Sequence, residues 1–421
     1  MEHLLGFTTI LLGALIVVFC TYRYRSISLV LWASFIIRVI LALIHAYLFP
    51  LPDSQADALR FERIAWEMAQ GGPGEIFSNF TTGAYFYSWI ISILYVFTDR
   101  SPLMMQGVNV ILGTLIVLNV YRISLILWNE KIYARRAAQV AAFFPTLCLY
   151  SSITMREAFW VYFVTLGILF MLEWWIKSSI RLAVKAAVSF ALSVAFHTGA
   201  LPMFGILGML VAYKAFVAMA KYRMVTFLRY GLIIILLTSI CAAVLFSGWG
   251  MEKIGLIKEG LAYYQEVAAR DRAAYLQDMT MNTVSDMFWQ TPIRIVYFLF
   301  TPFPWWVRQY IDLMGLADAL LYMWLAVCSW KLKWSIYRNT KAKILALFLL
   351  AGLAVFAIAT SNYGTALRHR AKFAPLLISL VAPALLRIKL YLSSNKGVKL
   401  CNTEKSSFLP PASPTAEPKH N

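Results

Sequence analysis

Two prolines close an apolar run and release a pair of acids in Pro50-Leu51-Pro52-Asp53-Ser54-Gln55-Ala56-Asp57. A carboxylate at the end of a membrane helix can take the proton of an acceptor hydroxyl. Asp57, or else Asp53, is therefore a candidate general base. The plainer alternative is a helix start, because Ser54 and Asp57 have capping-box spacing and acids favour a first turn. A second constellation is Thr154-Met155-Arg156-Glu157, at the junction of two apolar runs and shortly after Pro145. Charges at that depth are costly and tend to be functional; an interfacial ion pair is the alternative. A third is Ser361-Asn362-Tyr363-Gly364-Thr365-Ala366-Leu367-Arg368-His369-Arg370, followed by Lys372. Guanidinium forks at Arg368 and Arg370, with Tyr363 nearby, suit a phosphate. Snorkelling of these cations to lipid phosphates would explain them equally. His197, in His197-Thr198-Gly199, either joins a polar site or bonds a helix end. Arg294 and Arg308 are weaker phosphate candidates.

The elements that must hold these residues are membrane helices. Of 421 residues, 61% are hydrophobic and only 14% charged, and mean hydropathy is +0.68. A soluble domain of this length could not cover so much apolar surface, whereas lipid stabilises long apolar runs as helices. Apolar runs fall near 4–21, 27–50, 84–98, 103–128, 137–153, 157–176, 183–220, 225–248, 293–306, 313–330, 343–360 and 372–391. The net charge of +18 comes in small clusters between runs, so nucleic acid is not an expected partner. The five cysteines show no CxxC or zinc spacing. Residues 4–20 lack a basic flank and a cleavage site, and read as a retained first helix.

Basic clusters at Arg23/Arg25, Lys131/Arg135/Arg136, Lys177/Arg181/Lys185, Lys221/Arg223/Arg229, Lys331 to Lys343 and Lys389 to Lys399 mark the cytoplasmic side. Placing all of them inside puts 51–102 outside and requires that 84–98 dip into the outer face without crossing. The same parity makes 293–306 a partial dip, broken at Pro302 and Pro304. The run 183–220 must split at His197. About eleven crossings result, with juxtamembrane or re-entrant helices on the outer face. The fold class expected is thus all-α and polytopic. Residues 1–392 form the transmembrane domain, with outer segments 51–102 and a mostly helical 249–292, and 393–421 a disordered cytoplasmic tail.

On this pattern the sequence resembles the GT-C superfamily of polytopic glycosyltransferases, in particular its protein-mannosyltransferase-like branch. The resemblance rests on Asp57, Phe61 and Ala65 with Gly71-Gly72 following, on Pro145, Ser151-Ser152 and Glu157, and on Asn362-Tyr363-Gly364, Arg368/Arg370 and Pro375. It covers about 28–175 and, more loosely, 355–390. Asp57 is followed by Ala58 rather than by a second acid, which leaves the choice between Asp53 and Asp57 open. Bacterial O-antigen and exopolysaccharide polymerases share the same general pattern. The resemblance implies inverting hexosyl or pentosyl transfer from a polyprenyl-phosphate donor to a glycan or lipid acceptor, at the outer face of the cell inner membrane. Asp57 or Asp53 would be the base. Glu157 would position the acceptor or hold a divalent cation, the one cofactor suggested. Arg368 and Arg370 would bind the donor phosphate, with Arg156, His197 and Tyr363 completing the site. The rival expectations are a polymerase of lipid-linked repeat units and a transporter or flippase of a lipid-linked sugar.

Overall fold

The structure is a computed structural model that describes residues 2–246 and 273–385, apart from 82, 222, 280 and 282. The tail 393–421 and the greater part of 249–292 lie outside these residues. Among the described residues the chain is helical throughout, with one isolated antiparallel bridge between Ala274 and Asn362. It is an all-α, multi-pass membrane protein.

The chain opens with two apolar helices, α1 (Glu2–Arg23) and α2 (Ser28–Tyr47). Helix α3 (Asp57–Gln70) is amphipathic. It buries Ala58, Phe61, Glu62, Ala65 and Ala69, and its exposed Arg63 and Glu67 pair one turn apart at 3.7 Å. After the short α4 (Gly72–Ser78), its buried face packs on α5 (Phe86–Thr98). Phe61 and Tyr87 meet edge to face with centroids 5.9 Å apart. Arg100 grips buried Glu62 through two bonds of 2.9 and 2.7 Å, so the acid does not stand unpaired. At 13 residues α5 is too short to cross a bilayer, which needs roughly 20. This fits the dip that charge parity demands.

The core of the bundle is α6 (Pro102–Trp128), broken helix α7 (Lys131–Phe143) and α8 (Pro145–Tyr150), and α9 (Glu157–Lys177). Helices α6 and α9 run in the same direction, so α7 and α8 together make the return passage. The sequence reads 137–153 as one run, but Phe144 adopts φ −67°, ψ 116° before Pro145, as pre-proline residues prefer. The break strands the carbonyl of Ala142. Arg38, only 1% exposed inside α2, donates to it at 3.0 Å and also to Ser151 Oγ at 2.8 Å and Ser34 Oγ at 2.7 Å. A Cβ on Gly113 of α6 would sit 2.5 Å from Ser151 Oγ and 2.7 Å from Arg38 Nε, so glycine there leaves room for the arginine. Arg38→Ala would leave buried acceptors unpaired beside a cavity. It is expected to cost about 2–4 kcal/mol of stability, measured as a lowered thermal midpoint of the solubilised protein.

Helix α10 (Ile180–Phe196) turns at His197 into α11 (Leu201–Ala220), so 183–220 divides where the sequence places the turn. Then follow α12 (Met224–Phe246), α13 (Val284–Phe300), α14 (Tyr310–Lys331), α15 (Lys333–Arg338) and α16 (Thr340–Ile358). Helix α13 ends at Thr301, ahead of Pro302 and Pro304. The run 372–391 is not one straight helix. It follows the end of α17 (Tyr363–Ala371) and contains α18 (Ala374–Leu380) and a single 3-10 turn at Ala382–Ala384, and 386–391 lie outside the described residues. Among the described residues seven helices are long and apolar enough to cross a membrane: α1, α2, α6, α9, α11, α14 and α16. That measure does not confirm a count of eleven: α10 has 17 residues, Pro145 divides the run 137–153, α12 enters only over Met224–Ile235, and part of 372–391 lies outside the described residues.

Candidate active site at one end of the bundle

The C-terminal end of α2, the start of α3, the start of α9 and helix α17 meet at the end of the bundle opposite the basic clusters. Asp57 is the first residue of α3, and its N-cap, Ala56, supplies no side-chain cap. The capping box that Ser54 and Asp57 suggest therefore does not form. Asp57 Oδ2 instead accepts Arg368 Nη1 at 2.6 Å, a contact spanning more than three hundred residues of sequence. Arg368 reaches Glu157 as well, with Nε 3.7 Å from Oε1. Lys372 Nζ lies 3.6 Å from the same oxygen. Arg368 and Lys372 are one helical turn apart, so they present their charges on one face.

Glu157 is the first residue of α9 and only 2% exposed. The turn before it is fixed by Asn109 of α6, whose Nδ2 donates to the carbonyls of Ile153 at 2.6 Å and Met155 at 3.0 Å. Its Oε2 is buried without a hydrogen-bond partner, as are Arg368 Nε and Lys372 Nζ. These groups are held by charge and not by hydrogen bonds. A cavity of about 10 Å³, the size of one water, touches Glu157, Lys372, Tyr150 and Ser151. Lys372 lies beneath the rings of Phe356 and Trp160, 4.9 and 5.7 Å from their centroids.

Asp53 stands at the rim with φ 60°, a left-handed conformation that costs most side chains energy and aspartate less. The residue as a whole is exposed, but its carboxyl faces the cluster. Local desolvation raises its pKa, Arg368 opposes this, and Glu157 and Asp57 add to the rise. Burial alone would lower the pKa of Arg368, yet Glu157, Asp53 and Asp57 more than offset it, so the guanidinium stays charged. Arg156 donates to the Phe196 carbonyl at 3.2 Å and lies over the ring of Phe61. It thereby ties α10 to α3 beside Glu157.

Three acids and three cations thus converge from segments far apart in the chain. No protein-family model matches the chain, and neither does any curated protein sequence. Solved structures resemble it in overall shape. One is the archaeal oligosaccharyltransferase AglB from Archaeoglobus fulgidus, in complex with an inhibitory peptide and a dolichol-phosphate, with TM-score 0.47 and 12% identity over 83% of this chain and 50% of that one. Another, an Archaeoglobus fulgidus oligosaccharyltransferase in complex with Zn and sulfate, has TM-score 0.35 and 13% identity over 83% of this chain and 53% of that one. The chain spans about half the length of both. Likenesses of this size assign no residue, so the site stands on its own geometry.

Three residues expected at the site are engaged elsewhere. Arg370 is two positions from Arg368, roughly 200° around the helix, and faces the other way. Its Nε donates to Asp318 Oδ2 at 2.7 Å, and its other nitrogens to the carbonyls of Leu299, Thr301 and Gly315 at 3.0, 2.5 and 3.1 Å. It braces α14 against α17 and does not present a fork to the cluster. Tyr363 joins the same region, donating to Asp312 Oδ1 at 3.0 Å. His197 Nδ1 accepts the Gly199 N–H at 3.0 Å within its turn, and its ring stacks on Phe356.

Sequence reasoning did not name Lys372, Tyr150, Asn109 or His369 as site residues. Lys372 carried a signal, as a cation on the wrong side for the positive-inside rule. His369 pairs with Thr360 Oγ1 at 3.2 Å, and burial, reinforced by Lys372, pushes its pKa well down, so it is neutral near pH 7. Among the described residues the donors do not make a site for a divalent cation. Asp57 and Glu157 each already face a cation, and among the described residues no group of three His, Cys, Asp or Glu side chains could hold a metal.

Proposed function

We propose that this chain transfers a sugar from a polyprenyl-phosphate-linked donor to a glycan or lipid acceptor at the outer face of a bacterial inner membrane. The observation that carries this reading is the convergence of Asp57, Glu157, Arg368 and Lys372, with Arg368 Nε and Lys372 Nζ buried and lacking hydrogen-bond partners. Buried cationic donors of this kind suit phosphate oxygens, whose bonds to guanidinium are short and strong. The basic clusters at the opposite end of the bundle support the outward placement.

The chemistry follows from the geometry. A donor phosphate binding Arg368 and Lys372 draws the guanidinium away from Asp57. The released carboxylate takes the acceptor's hydroxyl proton. The acceptor oxygen attacks the anomeric carbon from the face opposite the phosphate, and the bond from that carbon to the phosphate oxygen breaks. The lipid phosphate leaves with the electron pair, and Arg368 and Lys372 neutralise its charge. Glu157 keeps the two cations in register between turnovers. No step requires a metal.

In vesicles supplied with a radiolabelled polyprenyl-phosphate sugar, Asp57→Asn is expected to slow transfer by about 10²-fold or more, the scale of a lost general base. Full activity in that variant would refute Asp57 as the base. Asp53 adds a pH signature. Desolvation raises its pKa against the opposing pull of Arg368, so a rate coupled to Asp53 should show its acidic limb shifted to higher pH than an ordinary aspartate gives. Asp53→Asn should move or remove that limb. An unchanged profile would exclude Asp53 from the titrating unit.

A further inference from the structure

A basic cavity lies at the other end of α9 from the cluster described above. Helix α9 begins at Glu157 and ends at Lys177, so its last turn is roughly 30 Å from the cluster described above. Between that turn, the start of α10 and the α11–α12 corner lies an open cavity of about 730 Å³. Five cations line it: Arg181, Lys214, Lys221, Arg223 and Arg229. Its lining contains no Asp or Glu. Glu173, the acid nearest along α9, is taken by Arg122 at 3.0 Å and Lys177 at 3.8 Å.

Arg181, Lys221 and Arg223 belong to loops or helix ends and Arg229 to the second turn of α12, positions where basic residues are ordinary on a cytoplasmic face. Lys214 is different. It stands inside α11, within a membrane-spanning helix, and points into the cavity. Its Nζ donates to the Trp175 carbonyl at 2.7 Å and Ser178 Oγ at 2.9 Å and lies 4.8 and 4.9 Å from the Trp174 and Trp175 ring centroids. These partners fix the cation at the cavity floor without neutralising it. The two helices that wall the cavity are lipid-facing elsewhere on their surfaces, where Phe216, Met219, Leu228 and Leu232 are exposed, so the cavity opens beside the bilayer. One ligand class matches both parts: a phosphate ester joined to acyl chains.

We infer that this cavity is a binding site for the headgroup of an anionic phospholipid of the leaflet opposite the proposed catalytic end. The cations hold the phosphate, and the chains extend from the mouth into the surrounding bilayer. The site is separate from the sugar-transfer reading and stands whether or not that reading is right.

The test is native mass spectrometry of the detergent-solubilised full chain, titrated with phosphatidylglycerol or phosphatidylcholine of identical acyl chains. The expected result is one retained phosphatidylglycerol per chain at concentrations where phosphatidylcholine is lost. The double variant R223Q/R229Q, at exposed positions, should weaken retention on the order of tenfold, as removing two cations near an anionic headgroup implies. Lys214→Gln should do the same, and the R223Q/R229Q result stands even if that change perturbs the helix. Equal retention of the two lipids, or unchanged retention in R223Q/R229Q, would overturn the site. Displacement of the lipid by millimolar inorganic phosphate would instead assign the cavity to a soluble phosphate and overturn the lipid as its occupant.

Discussion

Arg368→Ala is expected to reduce sugar transfer by about a thousandfold or more in reconstituted vesicles, with the chain still folded. One preorganised donor aimed at developing charge is worth roughly 10²–10³ in rate, and Arg368 serves two further purposes. Its Nη1 holds Asp57 at 2.6 Å and its Nε faces Glu157 at 3.7 Å, so its loss also disorders the base. Arg368→Lys should recover little, because an ammonium cannot contact both acids through separate nitrogens. Single-turnover rates measured with saturating donor would isolate the chemical step. Activity within about threefold of the parent in Arg368→Ala would remove it from the phosphate-binding role.

Glu157→Ala should act mainly on stability. The carboxylate is buried at 2% exposure between Lys372, Arg368 and Arg156. Breaking a buried pair by removing one partner leaves an uncompensated charge and costs about 3–5 kcal/mol. The effect should depend on Lys372. In Glu157→Ala/Lys372→Met the stranded ammonium is gone, and much of the lost stability should return. Thermal unfolding of the four chains in detergent forms a double-mutant cycle. Additive losses would mean that the two residues do not act on each other, and that the 3.6 Å contact has no energetic weight.

Residue type and position pointed to Asp57, Glu157 and Arg368 because charges beside long apolar runs are costly and few. Their mutual contact was not legible, since it depends on how α3, α9 and α17 pack. Arg370 shows where the reading failed. By residue type Arg368 and Arg370 are two forks for one phosphate; helix α17 sends Arg368 to Asp57 and Arg370 to Asp318, on different faces. Lys372 falls in step with Arg368 for the same reason. Arg38 and Asp318 were overlooked, although each is a charge inside an apolar run. Both are satisfied within the protein, one by Ser34, Ser151 and the Ala142 carbonyl, the other by Arg370 and Thr146. Counting residues could not reveal those partners. The breaks within runs were not legible from hydropathy: Phe144-Pro145 divides one, and the end of α18 at Leu380 divides another.

The central claim is that Asp57 and Arg368 work as one catalytic unit. A kinetic cycle tests it directly, with single-turnover transfer measured for the parent chain, Asp57→Asn, Arg368→Ala and the double variant in vesicles. If the two act together, the double variant is about as slow as the slower single, within roughly threefold. Losses that multiply across the cycle, or single variants that keep the parent rate, would contradict the account.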